Sequence, residues 1–275
     1  MKPKSARLLP PFRPAPWGAS YRQAALQPHR SRYWLNAKTK ADDPETFAEQ
    51  VETICTVYAY APLLHALGGH IMSTDELTGI QALARIAPTK PMQPGQVERR
   101  EFEYERHGTL SLIANFDVVS GQVIRASLGP TRTEADFAAH IGRTIDLDPE
   151  GVWLFVTDQL NTHQSETLVR LVAACCGLED ALGEQGKSGV LRSMATRAAF
   201  LSDPTHRIQF VYLPKHTSWL NQVEVWFSIL VRHVLKRGNF PSLEALEARL
   251  LAFIEYFNRT AKPFKWTYTG RPLVI

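Results

Sequence analysis

Three acidic residues stand where apolar segments begin or end. Asp75 follows a short strand-like run, Gly69–Thr74, and Asp158 follows Val-Trp-Leu-Phe-Val-Thr at 152–157. Glu224 lies in the first turns of a helical segment that follows the apolar run Ile208–Leu213. It sits at the edge of a stripe at helical spacing made by Leu220, Val223, Phe227, Leu230, Val231 and Val234. An ionised carboxylate there is costly unless a cation meets it. In an open α/β sheet the carboxyl ends of neighbouring strands converge on one crevice. Three carboxylates gathered in it would repel one another and be stable only around a hard divalent cation. Mg²⁺ prefers oxygen ligands and bridges substrate phosphates. Two such ions can activate a water and stabilise the leaving oxygen of a phosphodiester. Taken singly, each acid has a plainer role. Asp75 would cap a helix at a strand–helix junction, Asp158 would start a turn, and Glu224 would pair with a buried Arg or Lys. Asp117, in Ala114-Asn115-Phe116-Asp117-Val118, competes for the first position, but a hairpin setting reads as a solvent-facing strand residue. The acids carry weight only as a set.

The elements that must position them alternate. Residues 44–66 predict a helix with Phe47, Val51, Ile54 and Tyr58 on one side and acids near its start. Thr109–Val119 and Gln122–Leu128 predict a hairpin turned at Ser120-Gly121. Residues 88–107, with three prolines and a charged run, predict a long loop of the kind that often carries function. Helices follow at 133–145, 165–176, 193–200, 219–236 and 242–257, the last behind a Ser242 cap. The uninterrupted apolar runs at 152–157 and 208–213 are the signature of strands covered on both faces. The class is α/β, a central sheet flanked by helices.

Charge divides the chain unevenly. Its net charge is +4 over 275 residues, yet residues 1–41 hold nine Lys or Arg and no Asp or Glu. The remainder carries 22 basic against 27 acidic residues. A basic arm on a mildly acidic body suits a polyanion, most simply nucleic acid, or else is a solvated terminus. No apolar run is long enough to span a membrane, and no secretory signal follows Lys2 and Lys4. Three cysteines without metal-site spacing point to buried thiols in a reducing cytoplasm.

Three blocks give the chain a resemblance. The first is Asp75-Glu76 within Ser73-Thr74-Asp75-Glu76-Leu77-Thr78-Gly79-Ile80. The second is a strand ending in Asp158 with His163 five residues on. The third is Leu213-Pro214 through Leu220-Asn221-Gln222-Val223-Glu224-Val225-Trp226-Phe227. Together they resemble DDE-superfamily transposases, specifically the mariner-related bacterial insertion-sequence group, over about residues 30–270. The resemblance implies a ribonuclease H-like mixed sheet flanked by helices, with Asp75, Asp158 and Glu224 binding Mg²⁺ or Mn²⁺ as a pair of ions. It implies metal-dependent cleavage of double-stranded DNA at terminal inverted repeats, then strand transfer into target DNA by a 3′-hydroxyl. Asn161 and His163 would support the site or contact DNA, and Asn221 would orient the Glu224 segment. A homodimer is a family expectation.

Two departures from the pattern stand out. Sixty-five residues separate Asp158 from Glu224, well beyond the family's usual spacing, and the excess lies near 177–206. Lys187, Arg192 and Arg197 make this insertion a candidate DNA-contacting surface, or else it is a surface elaboration. The resemblance reads the family's helix-turn-helix as reduced to a remnant at Tyr21–Asn36, so the chain reads as a basic arm (1–41), a helical linker (42–68) and a catalytic domain (69–275). A truncated, catalytically silent DNA-binding remnant is the alternative reading. Arg30, Arg32 and Lys38, interleaved with Tyr33 and Trp34, would contact phosphates, as would Arg232, Lys236 and Arg237 after the Glu224 turn.

Overall fold

A computed structural model of the chain describes residues 43–179 and 182–268, which fall in one compact unit. The basic arm at 1–41, with the expected helix-turn-helix remnant Tyr21–Asn36 and with Arg30, Arg32 and Lys38, lies outside the described residues. Helix α1 spans Pro44–Ala66, capped by the Asp43 side chain. The strands are β1 (Gly69–Arg85), β2 (Tyr104–Asp117), β3 (Val123–Gly129), β4 (Val152–Thr157) and β5 (Ile208–Tyr212). Helix α2 (Glu134–Ile145) precedes β4; α3 (Glu166–Cys176) and α4 (Met194–Leu201) lie between β4 and β5. Helix α5 (Gln222–Leu230) and helix α6 (Leu243–Arg259) follow β5. The five strands form one sheet in the order β3-β2-β1-β4-β5. The β1–β2 and β2–β3 pairs are antiparallel and the β1–β4 and β4–β5 pairs parallel, so the sheet is mixed.

Strand alternation sorts side chains onto two faces. On one, Leu112, Ala114 and Phe116 of β2 pack against Val223, Trp226, Phe227 and Leu230 of α5 and against α6. On the other, Met72, Ile113, Trp153, Phe155 and Phe210 pack against α2 and α3. Helix α1, expected as a linker, is instead part of the core: Val51, Ile54 and Tyr58 meet Ile71, Val156, Leu213 and Leu220. The hairpin β2–β3 appears as expected, except that β2 starts at Tyr104, inside the stretch 88–107 expected as loop, because it pairs with the extended end of β1. Strand β1 does not stop at Thr74; it runs on for 17 residues. A bulge keeps its faces consistent. The pairing advances three residues on β1 but two on β2 between Leu77 and Ile80, with Gly79 at φ 70°. The extra residue flips the parity, so Ile71, Ser73, Asp75 and Leu77 before it share a face with Ile80 and Ala82 after it.

Other differences have local causes. The expected continuous helix 219–236 is a 3-10 turn at Ser218–Leu220, then α5, then a π turn at Val231–Leu235. The π turn shifts the apolar stripe, leaving Val231 exposed while Leu230 and Val234 stay buried. The insertion near 177–206 is more than a surface elaboration, because Leu182, Leu191 and Leu201 are buried beside Val169, Val172 and Phe210. Of the three free cysteines only Cys55 is buried; Cys175 and Cys176 are half-buried. No helix among the described residues is long and apolar enough to cross a membrane.

A polar bridge crosses the second layer. Thr74 Oγ1 donates to Asn115 Oδ1 at 2.6 Å, and Asn115 Nδ2 donates to Thr144 Oγ1 on α2 at 2.7 Å. All three residues are fully buried. Leaving buried partners unpaired costs about 1–3 kcal/mol. Asn115→Ala is therefore expected to lower unfolding stability by roughly that amount, measured by urea denaturation.

Candidate active site

Register places two of the acids side by side. Ser73 of β1 pairs with Val156 of β4 in parallel. Two residues further along each strand come Asp75 and Asp158, at the point where β4 ends at Thr157 while β1 continues. Asp75 is thus a mid-strand residue at a lip, 8% exposed, and caps no helix. Its carboxylate accepts from Glu76 N at 2.8 Å and from Asn221 Nδ2 at 3.1 Å.

Glu224 comes to this lip through an unusual cap. Asn221 precedes α5 but makes no side-chain cap bond to its own helix. Its amide is used on β1 instead: Oδ1 accepts from the Ser73 hydroxyl, while Nδ2 donates to Thr74 O at 3.1 Å and to Asp75. Ser73 Oγ in turn accepts from Val223 N at 2.8 Å, satisfying an orphan donor of the first helical turn. Tyr58 of α1 donates to Leu220 O at 2.9 Å, fixing the turn from behind. Glu224 sits half-buried one residue after this anchor, at the helix N-terminus where a negative charge is favoured.

Asp158 is held differently. Its Oδ1 lies 2.7 Å from His163 Nδ1 and accepts from Leu160 N at 3.0 Å. His163 is fully buried, with Phe137 against its ring and Tyr212 donating to its carbonyl. Its Nε2 stands 3.2 Å from Glu76 Oε1, and Glu76 Oε2 is 3.8 Å from Arg132. Full burial removes His163 from any direct DNA contact.

The electrostatics register the crowding. Burial first, then the nearby Asp158 and Glu224 charges, push the Asp75 carboxyl up to about 7, against the Glu76 amide and His163, which favour its ionised form. Burial and Asp158 also raise Glu224. Asp158 goes the other way: burial opposes its ionisation, but the His163 hydrogen bond and charge outweigh that and hold it below the usual carboxylate range. Burial works against a charged His163, yet bonds to Asp158 and Glu76 prevail and lift it to about 9. Asp158 acts on both other acids, whereas Glu224 is the weakest influence on Asp75.

The remaining expected residues divide. Asn161 is exposed at the start of a 3-10 turn, and its side chain makes no hydrogen bond to the three acids. Asp117 is buried rather than solvent-facing, its carboxylate accepting from Val119 N and Ser120 Oγ to close the β2–β3 turn. Lys187 and Arg192 are exposed on the insertion, Lys187 paired to Glu184. Arg197 is used inside the fold, donating to Gln164 O at 2.6 Å, which locks the insertion against the His163 turn. Arg232, Lys236 and Arg237 are exposed along and just past the π turn. The expectations omitted Ser73, Glu76, Tyr58 and Arg132. For Glu76 a signal existed: adjacent acids on one strand face opposite sides, and the inward one needs a cation.

A family model described as DDE superfamily endonuclease matches residues 70–247, a span that holds all three acids. The chain belongs to the DDE superfamily endonucleases. Two solved structures share the fold, the Mos1 mariner paired-end complex with Mn at TM-score 0.50 and 12% identity, and a pre-cleavage Mos1 transpososome at 0.51 and 14%. Each match covers 89% of this chain but only 63% of the Mos1 chain. A comparison with curated proteins gives no match. The sheet of this DDE chain is thus the ribonuclease H-like fold that the three sequence blocks implied.

The shifted groups set a pH dependence of stability. Asp75 is raised above its ordinary 3.8, so its favourable contribution is complete below that pH and is lost as pH rises through about 7. His163, raised above 6.5, contributes fully below that pH and loses its contribution as pH rises through about 9. Melting temperature in EDTA is expected to fall on both intervals, and Asp75→Asn should flatten the lower one while leaving the upper.

Proposed function

We propose that this DDE endonuclease is a divalent-metal-dependent DNA transposase that cuts strands at transposon ends and joins a 3′-hydroxyl to target DNA. The carrying observation is the β1–β4 lip, where Asp75 and Asp158 lie two residues beyond one parallel pair and the α5 cap brings Glu224 toward them. The donor chemistry fits a hard cation: three carboxylates, two of them shifted up by burial and mutual repulsion, which a divalent charge would relieve. Mg²⁺ or Mn²⁺ held there would supply water activation and stabilisation of the leaving oxygen. The chain's own part is positioning. Asn221 orients Asp75, His163 fixes Asp158, and the Ser73 bond sets the turn that carries Glu224. Exposed Arg232, Lys236 and Arg237, with Lys187 and Arg192, would follow the phosphate backbone. The Mos1 relatives are a paired-end complex with Mn and a transpososome, which supports metal, DNA ends and a paired assembly for this chain too.

One observation favours the second reading, a catalytically silent DNA-binding remnant. Among the described residues no three His, Cys, Asp or Glu side chains are spaced to hold a metal ion as they stand.

Incubating the protein with terminal inverted-repeat duplex and Mg²⁺ or Mn²⁺ separates the two readings. Nicking that disappears in Asp158→Asn, with DNA affinity retained, is the expected result; cleavage undiminished in that variant would refute the assignment, and wild-type binding without cleavage selects the remnant. Replacing Arg232, Lys236 and Arg237 together by Ala is expected to weaken duplex binding about equally across sequences. The slope of log affinity against log salt should fall by up to about 3, measured by fluorescence anisotropy.

A further inference from the structure

The Glu76 side chain is only 2% exposed, yet it lies on the face of β1 opposite Asp75. Buried acids are kept only when paired. Its partners are His163 at 3.2 Å and, more distantly, the half-exposed Arg132 at 3.8 Å. His163 presents its other ring nitrogen to Asp158 at 2.7 Å. Phe137 covers one face of the ring, and Tyr212 holds the His163 backbone. The result is a continuous chain, Glu76–His163–Asp158, running from the back of β1 to the front of the lip. Asp158 itself starts a loop, where among the described residues the Leu160 amide is the other group that bonds its carboxylate.

We propose that Glu76 is a positioning residue: through the His163 ring it holds the Asp158 carboxylate at the lip beside Asp75. The geometry parallels the general arrangement in which a carboxylate behind a histidine fixes the ring's tautomer and orientation for the group in front. Here the group in front is an acid, and the imidazole bridges two carboxylates from neighbouring strands. Losing such an outer partner typically weakens metal binding by about 10- to 100-fold. The inference rests on the metal-dependent reading of the site, and its test is built to fail separately from it.

The experiment compares wild type, Glu76→Gln and Asn115→Ala. Asn115 borders the same strand on the same face but has no link to Asp158, so it reports a merely structural loss. Mn²⁺ affinity is measured by calorimetry, stability by thermal melting, and the His163 ring by nitrogen-15 NMR in EDTA. Glu76→Gln is expected to bind Mn²⁺ at least about tenfold more weakly and to shift both His163 ring-nitrogen resonances. Asn115→Ala should lose stability with both readouts unchanged. If Glu76→Gln keeps Mn²⁺ affinity within twofold of wild type, the inference falls while the metal reading stands. If wild type binds no Mn²⁺, the metal reading fails and NMR decides: an unchanged Nδ1 resonance in Glu76→Gln would refute the relay.

Discussion

The bond from Val223 N to Ser73 Oγ is the contact on which the site depends. A helix begins with backbone donors that have no partner within the helix, and the usual remedy is a side chain at its own N-cap. Here the cap is borrowed from a strand more than a hundred residues earlier. Asn221 is thereby released from capping and spends its amide on Ser73, Thr74 and Asp75. One exchange of roles joins β1 to α5 and ties the segment that carries the third acid to the strand that carries the first. The join is buried, so water does not compete for it, and losing either partner would strand polar atoms in the core.

Around this join the fold separates two tasks. The face that carries Asp75 opens toward α1 and α5, where the acids crowd and raise one another. The opposite face carries the compensation: His163, Glu76 and Arg132 under α2, and the Thr74–Asn115–Thr144 bridge beneath. The acidic lip is therefore backed by the buried His163, whose charge stabilises an ionised Asp158. The same cation helps Asp75 only weakly, which is why the two neighbouring acids shift in opposite directions.

Much of this was legible in residue order. Apolar runs at 152–157 and 208–213 marked the parallel strands because both their faces are covered, and the hairpin followed from alternation and the Ser-Gly turn. The acids were legible through the words around them, Asp-Glu, Asp…His and Leu-Asn-x-x-Glu. What stayed hidden was non-local. Asp75 looked like a strand end because Glu76, Thr78 and Gly79 break the apolar pattern, yet β2 pairs with β1 well beyond them. Helical spacing counts 3.6 residues per turn throughout, so it cannot foresee a π turn that moves Val231 outward. The insertion looked like surface because its three buried leucines are spread over twenty residues of Gly- and Arg-bearing chain.

The bulge at Thr78–Gly79 divides β1 into two rulers offset by half a period. The ruler before it is graduated by β4, by β2 and by the acids; the one after it is graduated by β2 alone among the strands and leads into the loop at 86–103. A change of register on one side can be absorbed at the bulge without being transmitted to the other. Lineages of such enzymes would then be free to lengthen, shorten or re-aim the far arm, and whatever it grips, while the spacing of the acids stays untouched.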